Sequence, residues 1–554
     1  MKTLHRPSLI LIITLAALAE SAYGTQPPDV VNSDASFDTA MGTNALLSLT
    51  TGITNTASGY DALQDNTSGD GNAAFGVYAL QYNTTGNSNT AVGNYALNSN
   101  SGGNYNTAIG ASALLYNTTG SSNTASGVNA LQNNTTGSDN TASGLSALFY
   151  NTTGSNNTAS GYEALYYNST GGNDTAFGTN ALISNQTGSF NTASGVNALS
   201  SNTTGSNNVA SGAAALQANT SGGQNTASGA SALNANSTGI NNTASGFQAL
   251  GSNSTGVNNT ASGVNTLLSN TSGDNNTAAG YEALEFNTGG NYNDATGYYA
   301  LHSNTTGAQN SASGVQALYA NKSGNYNTAS GTDALFSNTT GSSNIAEGYK
   351  AGYSLTTGSN NIDIGNAGVA AESGTIRIGT VSTQTATYLA GIYGTSVTGS
   401  AVVVSSTGQL GVTVSSERFK TAITPMGSNS DRLQQLRPVT FHLKTEPKGA
   451  LQYGLIAEEV AKVYPELVIR DGTGRIDGVR YDELAPMVLN EVQQQRSRIE
   501  AQSAINSAQA EKFAALAKRN AAEDEQLRSL QKQLVELHAA LSKLQMKDKL
   551  LAER

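Results

Sequence analysis

The sequence predicts a mostly β protein: a long β-solenoid or β-roll rod, a β neck, a small α+β domain and a C-terminal α-helical coiled coil, assembled as a trimer. Three observations carry this expectation. Glycine returns at every seventeenth position from Gly42 to Gly365 without one insertion. Among 554 residues, 61 are Gly while only 11% are charged and 6% aromatic, which is too poor in core-forming residues for several conventional domains. Leucines on 3-4 spacing run along the last forty or so residues, from Leu516 to Leu551.

In chain order, residues 1–24 read as a secretory signal peptide: basic Lys2 and Arg6, a short apolar run from Leu9 to Ala19, and small residues at Ala22 and Gly24. A membrane anchor needs about 20 apolar residues, so the expectation is export, with a mature chain that begins at Thr25 and has no membrane span. Residues 25–41 form a polar lead-in.

The repeat occupies 42–365, and its consensus is legible in Asn123-Thr-Ala-Ser-Gly-Val-Asn-Ala-Leu-Gln-Asn-Asn-Thr-Thr-Gly-Ser-Asp139. A fixed period means that each unit is one rung of a stack, unable to bury its apolar face alone. Two glycines per period oppose a helix. The expectation is two short strands per rung, around Thr-Ala-Ser-Gly and around Ala-Leu, joined by Asn, Thr and Gly turns, with Asn stacked on Asn between rungs. At a strand spacing of ~4.8 Å, twenty rungs extend about 90 Å. Leucine holds the fourth place after the key glycine from Leu46 to Leu335. A thin coil of Ala, Gly and one Leu buries little, so this stripe is expected to pack against partner chains, which is the rod's argument for a trimer.

A β neck spans 366–414, with strands expected at Ile376–Gly379, Tyr388–Ile392 and Val402–Val404. The small domain, 415–490, carries patterns for a strand at Val439–Leu443, a helix over Leu455–Val463 that stops before Pro465, and strands near Leu467–Arg470 and Ile476–Arg480. From Leu484 the sequence turns helical. Over 491–554, Phe513, Leu516, Leu527, Leu530, Leu534, Leu537, Leu541, Leu544 and Leu551 share one heptad seam with the polar Asn520 and Glu523, the pattern of an oligomeric coiled coil.

At the junction of rod and small domain stands Ser415-Ser416-Glu417-Arg418-Phe419-Lys420. A lysine kept neutral by burial can serve as the general base of a serine nucleophile. Taken alone, a Ser and a Lys five apart more often mark a solvated turn. The surrounding blocks are more specific: Ser406 to Lys420, Arg437-Pro-Val-Thr-Phe441, Tyr453-Gly-Leu-Ile-Ala-Glu-Glu-Val460, Tyr464-Pro-Glu-Leu467 and Val479-Arg-Tyr-Asp-Glu-Leu-Ala-Pro-Met487. Over about 406–500 they resemble the peptidase S74 family, the intramolecular chaperone auto-processing domains of phage tail fibres and tailspike endosialidases. The repeat also resembles the β-roll heads of trimeric autotransporter adhesins, though with a longer period. The S74 resemblance implies Ser415 as nucleophile, Lys420 as its base and Val414–Ser415 as the bond cut. Where the family usually has Asp after the serine this chain has Ser416, and the spacing to Lys420 selects Ser415.

Composition narrows the remaining classes. Cysteine is absent, and the four histidines, His5, His302, His442 and His538, show no ligand spacing along the chain, so neither a disulfide framework, a metal nor a cofactor is expected. With Lys and Arg nearly confined to the C-terminal part and a net charge of −11, nucleic acid is not an expected partner. Calcium rolls need aligned aspartates, which these turns lack, and the rungs hold almost no paired carboxylates for glycosidase chemistry. The expected function is an exported trimeric fibre or adhesin-like protein whose C-terminal domain chaperones trimer assembly and then cuts itself off. The alternative is a surface adhesin that keeps this domain as a non-catalytic trimerisation cap. Exposed tyrosines such as Tyr60, Tyr78, Tyr162 and Tyr281 are candidate contacts for a cell-surface or glycan receptor.

Overall fold

The computed structural model describes residues 32–33, 36–390, 392, 398–399, 401–405, 407–471 and 473–553; the signal-peptide expectation for 1–24 lies outside them. The chain divides into two units, up to residue 396 and from residue 397.

The first unit is a β-solenoid. Three-residue strands recur at the sequence period from Thr39–Met41 to Ile362–Ile364, each pairing in parallel with the next so that Thr124, Ala125 and Ser126 lie opposite Thr141, Ala142 and Ser143. The ladder runs one strand beyond Gly365, to Ile376–Ile378, after a shortened step. At the start, Asn32–Ser33 folds back antiparallel on Thr39–Ala40.

Each rung has one strand, not two. Ala130 and Leu131 are neighbours and both are buried, whereas a strand sends neighbouring side chains to opposite faces. The chain resolves this with a turn in which Asn129 (φ 59°) and Leu131 (φ 53°) take the left-handed conformation. That conformation is uncommon for Leu. It is held because both amides still bond to adjacent rungs, Asn129 N to Ala111 O at 3.0 Å and Leu131 N to Ala147 O at 2.9 Å.

The leucine stripe is also placed differently from expectation. Its members from Leu63 to Leu335 are wholly buried inside a single chain. Two alanines per rung, such as Ala125 and Ala130, share the narrow interior with each leucine. The leucines of this stripe are therefore unavailable to partner chains, and that argument for a trimer falls.

Two buried asparagine ladders close the interior. Asn134 Nδ2 donates to Asn117 Oδ1 at 2.7 Å and to Gly137 O at 2.9 Å. Asn140 donates both its backbone N and its Nδ2 to Asn123 Oδ1, each at 3.0 Å, and Nδ2 also reaches Gly154 O at 2.9 Å. Buried polar groups are tolerable only when bonded in this way. The ladders explain the second glycine of the period, since a Cβ on Gly137 would stand 2.3 Å from Gly154 O and 2.5 Å from Asn134 Oδ1. The first glycine, such as Gly127 (φ 139°), combines a positive φ with a Cβ position 2.4 Å from Gly144 O.

Among its described residues the second unit has three antiparallel hairpins, Val402–Val404 with Leu410–Val412, Val439–Phe441 with Gln452–Gly454, and Val468–Arg470 with Ile476–Val479. Helix α1 spans Ala457–Val463 and α2 spans Tyr481–Leu551. Of the strand expected at Tyr388–Ile392, the described residues 388–390 and 392 are not in a strand. A small core gathers Val460, Tyr464, Leu467, Val468, Val479 and Met487. Of the 71 residues of α2, Met487 alone is buried among the described residues. At 1.5 Å per residue the helix is about 105 Å long.

Candidate active site and the S74 segment

Ser415 lies just after the first hairpin of the C-terminal unit, and the chain then makes a 3-10 turn over Glu417–Phe419. The turn closes with Phe419 N donating to Ser416 O at 3.0 Å and Lys420 N donating to Glu417 O at 2.9 Å. It folds the lysine back on the serine. Lys420 Nζ lies 3.3 Å from Ser415 Oγ, within reach of a proton transfer that tightens in a reactive complex. Ser416 makes no side-chain cap on the turn. Val414, Ser415 and Lys420 are all exposed in the single chain.

The segment behind this turn is tied down by polar contacts. The Tyr464 hydroxyl accepts from Arg432 N at 3.1 Å, and the Arg432 guanidinium lies 4.8 Å above the Tyr464 ring. The Tyr481 hydroxyl, at the start of α2, accepts from Leu455 N at 2.7 Å. Arg437 forks onto Glu459 at 2.6 and 3.1 Å, and its hydrogen bonds hold the Glu459 carboxyl below the usual range. In the last hairpin turn, Thr473 and Arg475 draw the Asp471 carboxyl down to about 2. Asn490 of α2 donates to Gly427 O at 2.8 Å and Ser430 Oγ at 2.6 Å. The helix is thereby anchored to the segment.

Residues 415–469 match the Peptidase_S74 family model, described as chaperone of endosialidase. The chain carries an S74 segment. No curated protein and no solved structure matches the chain. The match begins at Ser415 and takes in the first two hairpin strands of the small domain, α1 and the buried Tyr464. With the 17-residue solenoid ahead of it, the S74 segment fits a tail-fibre-like protein. Among the described residues, no helix is long and apolar enough to cross a membrane.

Proposed function

We propose that the chain is an exported trimeric fibre or adhesin-like protein whose S74 segment guides assembly and then releases itself by cutting Val414–Ser415. The observation that carries this reading is the 3.3 Å approach of Lys420 Nζ to Ser415 Oγ at the first residue of the S74 match. Lys420 takes the hydroxyl proton as Ser415 Oγ attacks the carbonyl carbon of Val414. The C–N bond breaks as the Lys420 ammonium gives that proton to the Ser415 nitrogen, so Val414 becomes an ester on Ser415 Oγ and the nitrogen leaves as an amine. Water then hydrolyses the ester, giving a Val414 carboxylate and a new N-terminus at Ser415.

Lysine acts as a base where it is desolvated, and Lys420 is exposed in one chain. Neighbouring protomers have to supply the cover, so cleavage follows assembly. The clamp that gathers them is the exposed seam of α2, a coiled coil of three chains. Rungs stack within a chain, so the clamp's task is to bring three rods to a common end. Removing it afterwards blocks the reverse path and makes the fibre kinetically stable. A sugar-bearing receptor would meet exposed rings such as Tyr60, Tyr162 and Tyr281 on the rod.

A denaturing gel tests the reading. Wild type gives two bands that break at Val414–Ser415, while Ser415→Ala, Lys420→Ala and Lys420→Arg each give one full-length band from a particle that still has three chains. Ser416→Ala leaves the cut intact. A single wild-type band in a trimer would favour the retained cap. Mass analysis of exported material is expected to begin at Thr25, and an intact Met1 on the mature protein contradicts export by a cleaved signal.

A further inference from the structure

One patch of the rod departs from its uncharged character. Glu285 and His302 are one period apart, so stacking sets one above the other, and Glu282 projects beside them. His302 Nε2 lies 2.9 Å from Glu285 Oε2 and 3.8 Å from Glu282 Oε2. One donor atom from each of the three falls within 4.8 Å of the others. The three side chains are only 12–14% exposed. No Lys or Arg occurs in the sequence between residues 25 and 321, so two half-enclosed carboxylates face each other without a basic partner other than this histidine.

We propose that Glu282, Glu285 and His302 bind one divalent transition-metal cation of the zinc class, using one carboxylate oxygen from each glutamate and Nε2 of the histidine. Zinc takes imidazole nitrogen and carboxylate oxygen at about 2.0–2.2 Å, which sets tetrahedral donors ~3.3 Å apart. The observed 2.9 and 3.8 Å spacings bracket that value, so small side-chain rotations seat the ion. Three protein ligands leave one position for water.

The surroundings hold the donors in place, as the outer shell of a metal site does. The His302 ring is stacked on Tyr319 at 5.0 Å and met edge-on by Phe286 at 5.0 Å and Tyr299 at 4.9 Å. Its Nδ1 lies 3.4 Å from Ser303 Oγ, which leaves Nε2 for the ion. Glu282 accepts from Asn265 Nδ2 at 3.3 Å, while Asn265 Oδ1 is buried without a hydrogen-bond partner. A cation relieves the carboxylate repulsion, and a neutral imidazole is the form that ligates. Its ligands come from two successive rungs, so the ion would pin them together.

The test is calorimetric titration of untagged, chelator-dialysed full-length protein with Zn2+, and separately with Ca2+ and Mg2+. One Zn2+ site per chain is expected to disappear in His302→Ala and to weaken at least tenfold in Glu285→Gln and Glu282→Gln, with circular dichroism unchanged and with His538→Ala binding like wild type. Zn2+ is also expected to raise the melting temperature of the wild type, EDTA to reverse this, and the His302→Ala melting temperature to ignore both. Wild type without saturable Zn2+ binding, an unchanged stoichiometry in His302→Ala, or Ca2+ binding that matches Zn2+ and survives His302→Ala would each overturn the assignment. A His302→Ala protein that fails to fold moves the decision to the two Gln variants, where undiminished Zn2+ affinity overturns it.

Discussion

Leu199 in the rod and Leu534 in α2 are the same residue in equally regular patterns, yet the first is 0% exposed and the second 57%. The rod closes its apolar interior within one chain, because each rung finds its partner surface 17 residues on. The long helix repeats its leucines along an edge with nothing of its own chain against it. Regular apolar repetition thus has two meanings in this molecule. A period matched to a closed coil buries the stripe internally, whereas a heptad seam on a lone helix leaves it exposed, as the proposed coiled coil requires. The proposed assembly therefore rests on the C-terminal unit and not on the rod.

The largest effect that tests this contrast is a truncation after Ile499. It removes the seam and is expected to abolish trimer formation and, with it, cleavage at Val414, while the far-ultraviolet strand signal of the rod persists. Sedimentation and a denaturing gel read the outcome. A truncated chain that remains trimeric would return the assembly interface to the rod, and a truncated monomer that cuts itself would separate chemistry from assembly.

Single leucines sharpen the same point at about 2–5 kcal/mol. Leu199→Ala opens a cavity in a wholly buried site and is expected to destabilise the rod by that amount at any protein concentration. Leu534→Ala is expected to leave the rod's melting unchanged and to shift the dissociation of chains to higher concentration. Equal, concentration-independent losses in both variants would erase the distinction.

These two cases also show where the sequence is readable and where it is not. The period, the rod, the asparagine ladders and the long C-terminal helix follow from residue spacing, because each depends on recurrence along the chain. The helix over Ala457–Val463 and the strands at Val439–Phe441, Val468–Arg470 and Ile476–Val479 follow from local pattern and Pro465, whereas the strand at Gln452–Gly454 was not expected. The state of the leucine stripe does not follow, since burial of adjacent Ala130 and Leu131 requires left-handed turns that no propensity assigns to leucine. The Ser415–Lys420 pairing was visible only as a spacing; the 3-10 turn over Glu417–Phe419 supplies the contact. Distance along the chain isolates His302 from the other histidines, although the period itself sets it on Glu285. Folding the sequence onto its own repeat, column by column, would have revealed that cluster.

The most local effect lies inside one ladder and tests whether a single rung sets the rod's stability. At Asp174 a carboxyl replaces the ladder amide, and it is wholly buried. It accepts from Asn191 N at 2.8 Å and from Asn185 Nδ2 at 3.1 Å, yet burial outweighs these bonds and pushes its pKa up to about 7 from 3.8. A folded pKa above the unfolded one means that the folded state holds the proton longer. The associated stability is complete below about pH 4, falls as pH rises, and is fully lost once pH passes about 7. The slope in that window is about 1.4 kcal/mol per pH unit. Asp174→Asn restores the donor and is expected to remove this slope: its melting stability should match wild type near pH 4, exceed it progressively to pH 7 and keep a constant advantage above. Denaturation of both proteins across pH 4 to 9 measures the difference, in which every other titrating group cancels. A constant difference at all pH values would mean that Asp174 is ionised in the folded rod, and that the ladder tolerates a buried charge.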